Sequence, residues 1–212
     1  QITIGKTTPT LTITSANTLN VDGSLTATTT TSATLGRGGN ITYSIASGSG
    51  SATVNSSTGL VTGISIGTVT LTASSAGDTD YYSASTSQLI TIGKTTPTLT
   101  ITSANTLNVD GSLTATTTTS ATLGRGGLIT YSISAGSGSA TVNSSTGLIT
   151  GISIGTVTLT ATSAGDTNYY SATTSQQITI GKTTPTLTIT SANTLNVDGS
   201  LTATTTTSAT LG

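Results

Sequence analysis

Apolar residues alternate with threonine and serine along most of this chain. In "TLTIT" (Thr10–Thr14), Leu11 and Ile13 share one side and threonines the other. In "ITYSI" (Ile41–Ile45), Ile41, Tyr43 and Ile45 line up, and in "TVTLTA" (Thr68–Ala73) Val69, Leu71 and Ala73 do. "QLITI" (Gln88–Ile92) aligns Ile90 with Ile92. A period of two over four to eight residues is the mark of a half-buried strand. No stretch keeps apolar residues at helical spacing for long enough to form a helix. Breaks between the runs carry turn chemistry: "VDGS" at Val21–Ser24, "GRGG" at Gly36–Gly39, "GSGS" at Gly48–Ser51, "NSSTG" at Asn55–Gly59 and "AGDTD" at Ala76–Asp80. The pattern predicts about seven or eight short strands per repeat, all antiparallel, folded as two sheets packed on their apolar faces. Leu11, Ile13, Leu25, Ile41, Tyr43, Val69, Leu71, Ile90 and Ile92 are the expected core. Adjacent strand residues face opposite ways, so one of Tyr81 and Tyr82 is expected inside and the other outside.

The pattern recurs with a fixed period. Lys6, Lys94 and Lys182 are 88 residues apart, and residues 1–88 match 89–176 without a gap. Eighty of these 88 positions are identical. The exchanges are Gln1/Leu89, Asn40/Leu128, Ala46/Ser134, Ser47/Ala135, Val61/Ile149, Ser74/Thr162, Asp80/Asn168 and Ser85/Thr173. Residues 177–212 repeat 1–36 without a change. A period this long suits a small domain that packs its own core, and so an all-β array of separate sandwiches, not a solenoid. The ends of the chain are cut in mid-repeat. Ile2, Ile4, Leu187, Ile189, Leu195, Val197 and Leu201 therefore look for cover, either in a longer array or by strand exchange with another copy.

Composition narrows the chemistry. Threonine supplies 59 of the 212 residues and serine 31, while only 5% are charged. With five basic and six acidic residues there is no basic patch for nucleic acid. No apolar run reaches the roughly 20 residues of a membrane-spanning helix. Cysteine and methionine are absent, so packing alone must hold the fold, and the oxidisable side chains are missing. That suits long exposure outside a cell. Histidine, cysteine and glutamate are all absent, which leaves the many hydroxyls without an evident activating base. The reading is of a protein that is not an enzyme.

The stretch "NSSTGLVTGISIGTVTLTASSAGDTDYYSASTSQLITIGKTTPTLTI" resembles the tandem bacterial Ig-like repeats of long surface adhesins and other secreted or cell-wall proteins. The resemblance rests on the "GLVTG" hairpin, the "GTVTLTA" strand, the "AGDTDY" corner and a last strand running through "ITIGKTTPT". It implies tandem Ig-like β-sandwiches with "GKTTP" as linker, Pro9, Pro97 and Pro185 opening each edge strand. The implied layout is a last strand of a preceding repeat at 1–7, Ig-like repeats at 8–94 and 96–182, and first strands of an incomplete repeat at 183–212. The function it implies is an extracellular stalk or filament, whose partners are neighbouring copies in the same chain or in a homopolymer. The alternative is an adhesive module that binds a surface, glycan or protein partner directly. End-to-end domains with short linkers are the expected arrangement.

Three groupings have a specific chemistry to weigh. Asp22, Asp78 and Asp80, with Asp110 and Asp166 in the second copy, are candidate Ca²⁺ ligands at a domain boundary. Calcium wants six to eight oxygens, and Asn168 replaces the second copy's equivalent of Asp80. Side chains closing Asx-type turns are the simpler expectation for these aspartates. The lone lysine of each repeat, with Asp22 and the asparagines, raises the intramolecular isopeptide bond of some cell-surface Ig-like modules. Lys94 lies at the junction, however, and a solvated lysine is the plainer reading. Threonine rows also suit an ice-binding face, but threonine's strand preference accounts for them.

Overall fold

A computed structural model describes residues 1–34, 38–122 and 126–208. The expected Gly36–Gly39 turn falls partly outside these residues. No α-helix occurs among the described residues.

In the first repeat the strands are β1 (Leu11–Ile13), β2 (Thr18–Asn20), β3 (Ser24–Thr26), β4 (Thr29–Thr31), β5 (Ile41–Ser47), β6 (Ser51–Val54), β7 (Leu60–Ser65), β8 (Gly67–Ser75) and β9 (Ala84–Gly93). A four-stranded sheet in the order β2-β9-β8-β5 faces a three-stranded sheet, β3-β7-β6, while β1 pairs with β4. Alternation explains the longest strands. Along β8, Val69, Leu71, Ala73 and Ser75 are buried, and Thr70, Thr72 and Ser74 between them are half-exposed. Antiparallel pairing sets Val69 opposite Ile90 on β9, and sets Ile45 of β5 opposite Leu71. Val61 of the facing sheet is fully buried in the same cluster. Each such aliphatic side chain contributes about 1.5–3 kcal/mol when removed from water. Two sheets closed on one apolar layer make an all-β sandwich of Ig-like layout.

The second repeat has β10 (Leu99–Ile101), β11 (Thr106–Asn108), β12 (Ser112–Thr114), β13 (Thr117–Thr119), β14 (Ile129–Ala135), β15 (Ser139–Val142), β16 (Leu148–Ser153), β17 (Gly155–Ser163) and β18 (Ala172–Gly181). Its sheets follow the same orders, β11-β18-β17-β14 and β12-β16-β15. A last pair, β19 (Leu187–Ile189) with β20 (Thr205–Thr207), repeats the β1–β4 register.

Two expectations need correction. The strands are not all antiparallel: β2 runs parallel to β9, with Leu19 opposite Ile92, and β11 runs parallel to β18. After β1 the chain lies along the free edge of β9, in the direction β9 already runs. Among the expected core residues, Leu11, Val69, Leu71, Ile90 and Ile92 are buried. Ile13, Leu25, Ile41 and Tyr43 are only half-buried. β3 and β5 are sheet edges and β1 belongs to a two-stranded pair, so these four have cover on fewer sides.

By packing, the chain forms two compact units that cut across the 88-residue period. The first holds residues 1–101, 117–130 and 161–174, and the second holds 102–116, 131–160 and 175–212. In the first, the core cluster of Val21, Val61, Val69, Leu71, Ile90 and Ile92 also takes in Ala121 and Tyr169. In the second, Ile149, Val157, Leu159, Ile178 and Ile180 are buried.

Candidate functional site: an aspartate turn beneath a tyrosine corner

The sequence "NVDG" folds as a tight turn in which Gly23 N–H donates to the Asn20 carbonyl at 2.9 Å. Asp22 takes a left-handed backbone with φ of 61°. Only glycine adopts that freely, and aspartate tolerates it better than most because its short side chain bonds locally. The turn is fastened from both sheets. Val21 N–H donates to the Gly93 carbonyl at 2.9 Å, and Asp22 N–H to the Gly63 carbonyl at 3.0 Å. Gly63 is required here, because a Cβ on it would sit 2.8 Å from the Asn20 carbonyl oxygen.

The sequence "AGDTNYY" folds as a corner around Asp166. One carboxylate oxygen accepts from Asn168 N–H at 2.7 Å and Tyr169 N–H at 2.9 Å, and the other from Gly126 N–H at 2.9 Å. Lys94 donates its Nζ to the Asp166 carbonyl at 2.8 Å and stands 5.6 Å above the Tyr170 ring. The Gly126 amide holds the Asp166 carboxyl below the usual carboxylate range, helped by Asn168, Tyr169 and the charge of Lys94, with burial opposing them. Gly165 enters the corner at φ of 74°, a region glycine reaches without strain. The first copy builds the same corner: Asp78 accepts from Gly38, Asp80 and Tyr81 amides, and Lys6 donates to the Asp78 carbonyl at 2.7 Å.

Within the first unit, turn and corner meet. The Tyr169 hydroxyl donates to one oxygen of the Asp22 carboxylate. The Thr122 hydroxyl donates to the other at 2.8 Å. Ile66 N–H donates to the Asn168 side-chain carbonyl at 3.0 Å, and the Thr95 hydroxyl to the Val21 carbonyl at 2.6 Å. Tyr169 is 1% exposed and Val21 1%. A phenol in an apolar pocket needs a partner for its O–H, and a carboxylate is a strong one. The arrangement is a latch: an aromatic ring supplies buried area, and its hydroxyl fixes orientation on a charged acceptor.

Three of the candidate aspartates, Asp22, Asp78 and Asp166, thus act as hydrogen-bond acceptors. Asp22 holds hydroxyls of the 122 and 169 positions, while Asp78 and Asp166 close turns. Asp80 is exposed, and Asp110 lies in a turn like that of Asp22, with its N–H donating to the Gly151 carbonyl at 2.9 Å. Among the described residues no group of three or more acidic, histidine or cysteine side chains gathers where it could hold a metal ion. Lys94 is engaged by a backbone carbonyl and an aromatic ring at the corner, not by an asparagine of the core. Of the tyrosine pair, Tyr169 is buried and Tyr170 exposed, though both lie in the corner and not on a strand. In the first copy Tyr82 is exposed and Tyr81 half-buried. Sequence reading placed "NVDG" and "GDTD" side by side as polar groupings but missed the Asp22–Tyr169 bond.

No family model matches the chain, and no curated protein matches it significantly. Among solved structures it is similar to the C-terminal 282-residue fragment of intimin, crystallised in complex with the intimin-binding domain of the translocated intimin receptor. The identity there is 17% over 85% of this chain and 67% of that one, with a TM-score of 0.31. It is also similar to the fibronectin(III)-like modules of CbhA from Clostridium thermocellum, at 12% identity over 82% of this chain and 95% of that one, again with a TM-score of 0.31. Likenesses this loose leave the functional reading to the residues themselves. No helix among the described residues is long and apolar enough to cross a membrane.

Proposed function

We propose that this chain is a structural repeat of an extracellular stalk or filament, whose value lies in length and resilience. The observation that carries this reading is the latch. Near-identical copies of an 88-residue unit each hold an aspartate turn and a tyrosine corner, and the turn of one copy holds the corner of the next. A module that joins to its own copies through buried contacts is suited to building length. The near-identity of the copies supports the same reading, because loops that bind separate ligands have no reason to match. The lack of cysteine and methionine fits an oxidising exterior.

Direct adhesion is the second reading, and one observation favours it. Tyr82 and Tyr170 stand 56% and 55% exposed beside Lys6 and Lys94, an amphipathic pair that recurs with each repeat. Small-angle scattering on chains of two, four and eight repeats separates the two. A stalk gives a maximum dimension that grows in proportion to repeat number. Dimensions that level off as repeats are added would overturn the stalk reading.

A further inference from the structure

The second repeat carries the same turn as the first, but its surroundings differ. Val109, Asp110 and Ile154 correspond to Val21, Asp22 and Ile66. Val21 is 1% exposed, whereas Val109 is half-exposed. Ile66 is half-buried, whereas Ile154 is 51% exposed. Beside them lies a cleft of about 270 Å³, lined by Val109, Asp110, Ile154, Lys182, Thr183, Pro185 and Ser208. Its walls are the equivalents of Val21, Asp22, Ile66, Lys94, Thr95, Pro97 and Ser120. In the first unit the matching position is occupied by Tyr169, with Ala121 and Thr122 beside it.

We infer that the cleft beside Val109 and Ile154 is a docking socket for the tyrosine corner of a further copy of this repeat. This deepens the stalk reading and rests on it for its biological sense. Three observations identify the occupant. The socket's walls include the equivalents of Asp22, which accepts the Tyr169 hydroxyl, of Val21 and Ile66, which pack in the Tyr169 cluster, and of Thr95, which bridges to Tyr169. The Thr183 hydroxyl already donates to the Val109 carbonyl, as the Thr95 hydroxyl does to that of Val21. The β19–β20 pair, which lines one side through the neighbouring Pro185 and Ser208, has the register of β1–β4, so the first strands of a further copy stand in place. The ring enters the apolar gap, its hydroxyl turns to the Asp110 carboxylate, and the asparagine before it takes the Ile154 amide. This junction is heterologous: turn and corner are different surfaces, and each repeat carries one of each. Such a contact can repeat from copy to copy in one direction.

The test extends the full chain past Gly212 with the sequence of residues 125–182, which completes a third repeat. Amide hydrogen exchange is read at Ile66 and Ile154. The expected result is that Ile154 exchange, faster than Ile66 in the present chain, slows to the Ile66 rate. Replacing the added tyrosine equivalent to Tyr169 with alanine should return it to the fast rate. Protection of Ile154 that survives this replacement would overturn the socket, as would an Ile154 that stays fast in a folded, extended chain. An extended chain that lengthens in scattering while Ile154 stays fast would sink the socket and spare the stalk. The present chain supplies a second measurement that needs no extension. Tyr169→Ala should raise Ile66 exchange to the Ile154 rate, and an unchanged Ile66 would show that the tyrosine is not what covers a socket of this kind. Protection of Ile154 in the present chain by an added glycan or unrelated protein, with none from the third repeat, would assign the cleft to adhesion instead.

Discussion

The Val21 end of the first repeat and the Val109 end of the second have the same local sequence, the same turn and almost the same φ, 61° at Asp22 and 60° at Asp110. One is covered and the other is open. Tyr169 is 1% exposed, while its counterpart Tyr81 is half-buried. Local sequence therefore fixes the shape of turn and corner, and a neighbour decides what each one buries. Where a repeat is identical, burial is a property of position in the array.

The largest effect expected from breaking this comparison comes from tyrosine. Tyr169→Ala should destabilise the first unit by about 3–5 kcal/mol, the range for emptying an aromatic site. Tyr81→Ala should cost clearly less, because its ring already meets water. Denaturant unfolding of the two variants checks this, and equal losses would mean that the covered end adds nothing. A smaller effect is expected at the turn. Asp22→Gly relieves a left-handed residue, worth roughly 1–2 kcal/mol. It also removes the acceptor of two hydroxyls, each bond to a charged group being worth about 1.5–3 kcal/mol. The net expectation is a loss of about 1 kcal/mol or more. A double-mutant cycle of Asp22→Gly with Tyr169→Phe should show coupling of at least about 0.5 kcal/mol. Strict additivity would mean that the hydroxyl and carboxylate do not act together.

The smallest effect is set by acid. The Asp166 carboxyl is held below its ordinary value chiefly by the Gly126 amide. A depressed folded value means that its contribution is fully present above the unfolded value of about 3.9 and is lost as pH falls through the folded one. The corner should therefore be stable at neutral pH and loosen only in strong acid. The Gly126 amide shift, followed by NMR, should titrate below about pH 4 and become pH-independent in Asp166→Asn. A midpoint at or above the unfolded value would contradict the geometry.

Much of this fold was legible in the chain. Alternation over five or six residues in "ITYSI", "TVTLTA" and "QLITI" marked β5, β8 and β9, and "TLTIT" marked β1. β2, β3 and β4 are three residues each, too short for a period of two to be seen, and their places come from tertiary pairing. The parallel partnership of Thr18–Asn20 with β9 could not be read locally, since both segments look alike whichever way they pair. The candidate site was half legible. Asx-type turns at Asp78 and Asp166 followed from their neighbours. The bond from Tyr169 to Asp22 did not, because the same tyrosine and the same aspartate occur in each repeat and nothing local says which pair will meet.

The parallel edge between β2 and β9 bears on how one repeat carries load. β2 lies near the start of the repeat and β9 is its last strand, and both run the same way. A pull on the chain draws β2 backward from its beginning and β9 forward from its end. The two strands are asked to slide past each other along their length. Their cross-strand hydrogen bonds lie across the line of pull, so the bonds from Thr18 to Gly93 resist together in shear. Had first and last strands been antiparallel neighbours with both ends at one edge, the same tension would open the ladder one bond at a time. This parallel pairing makes the sandwich stiff along its own chain direction.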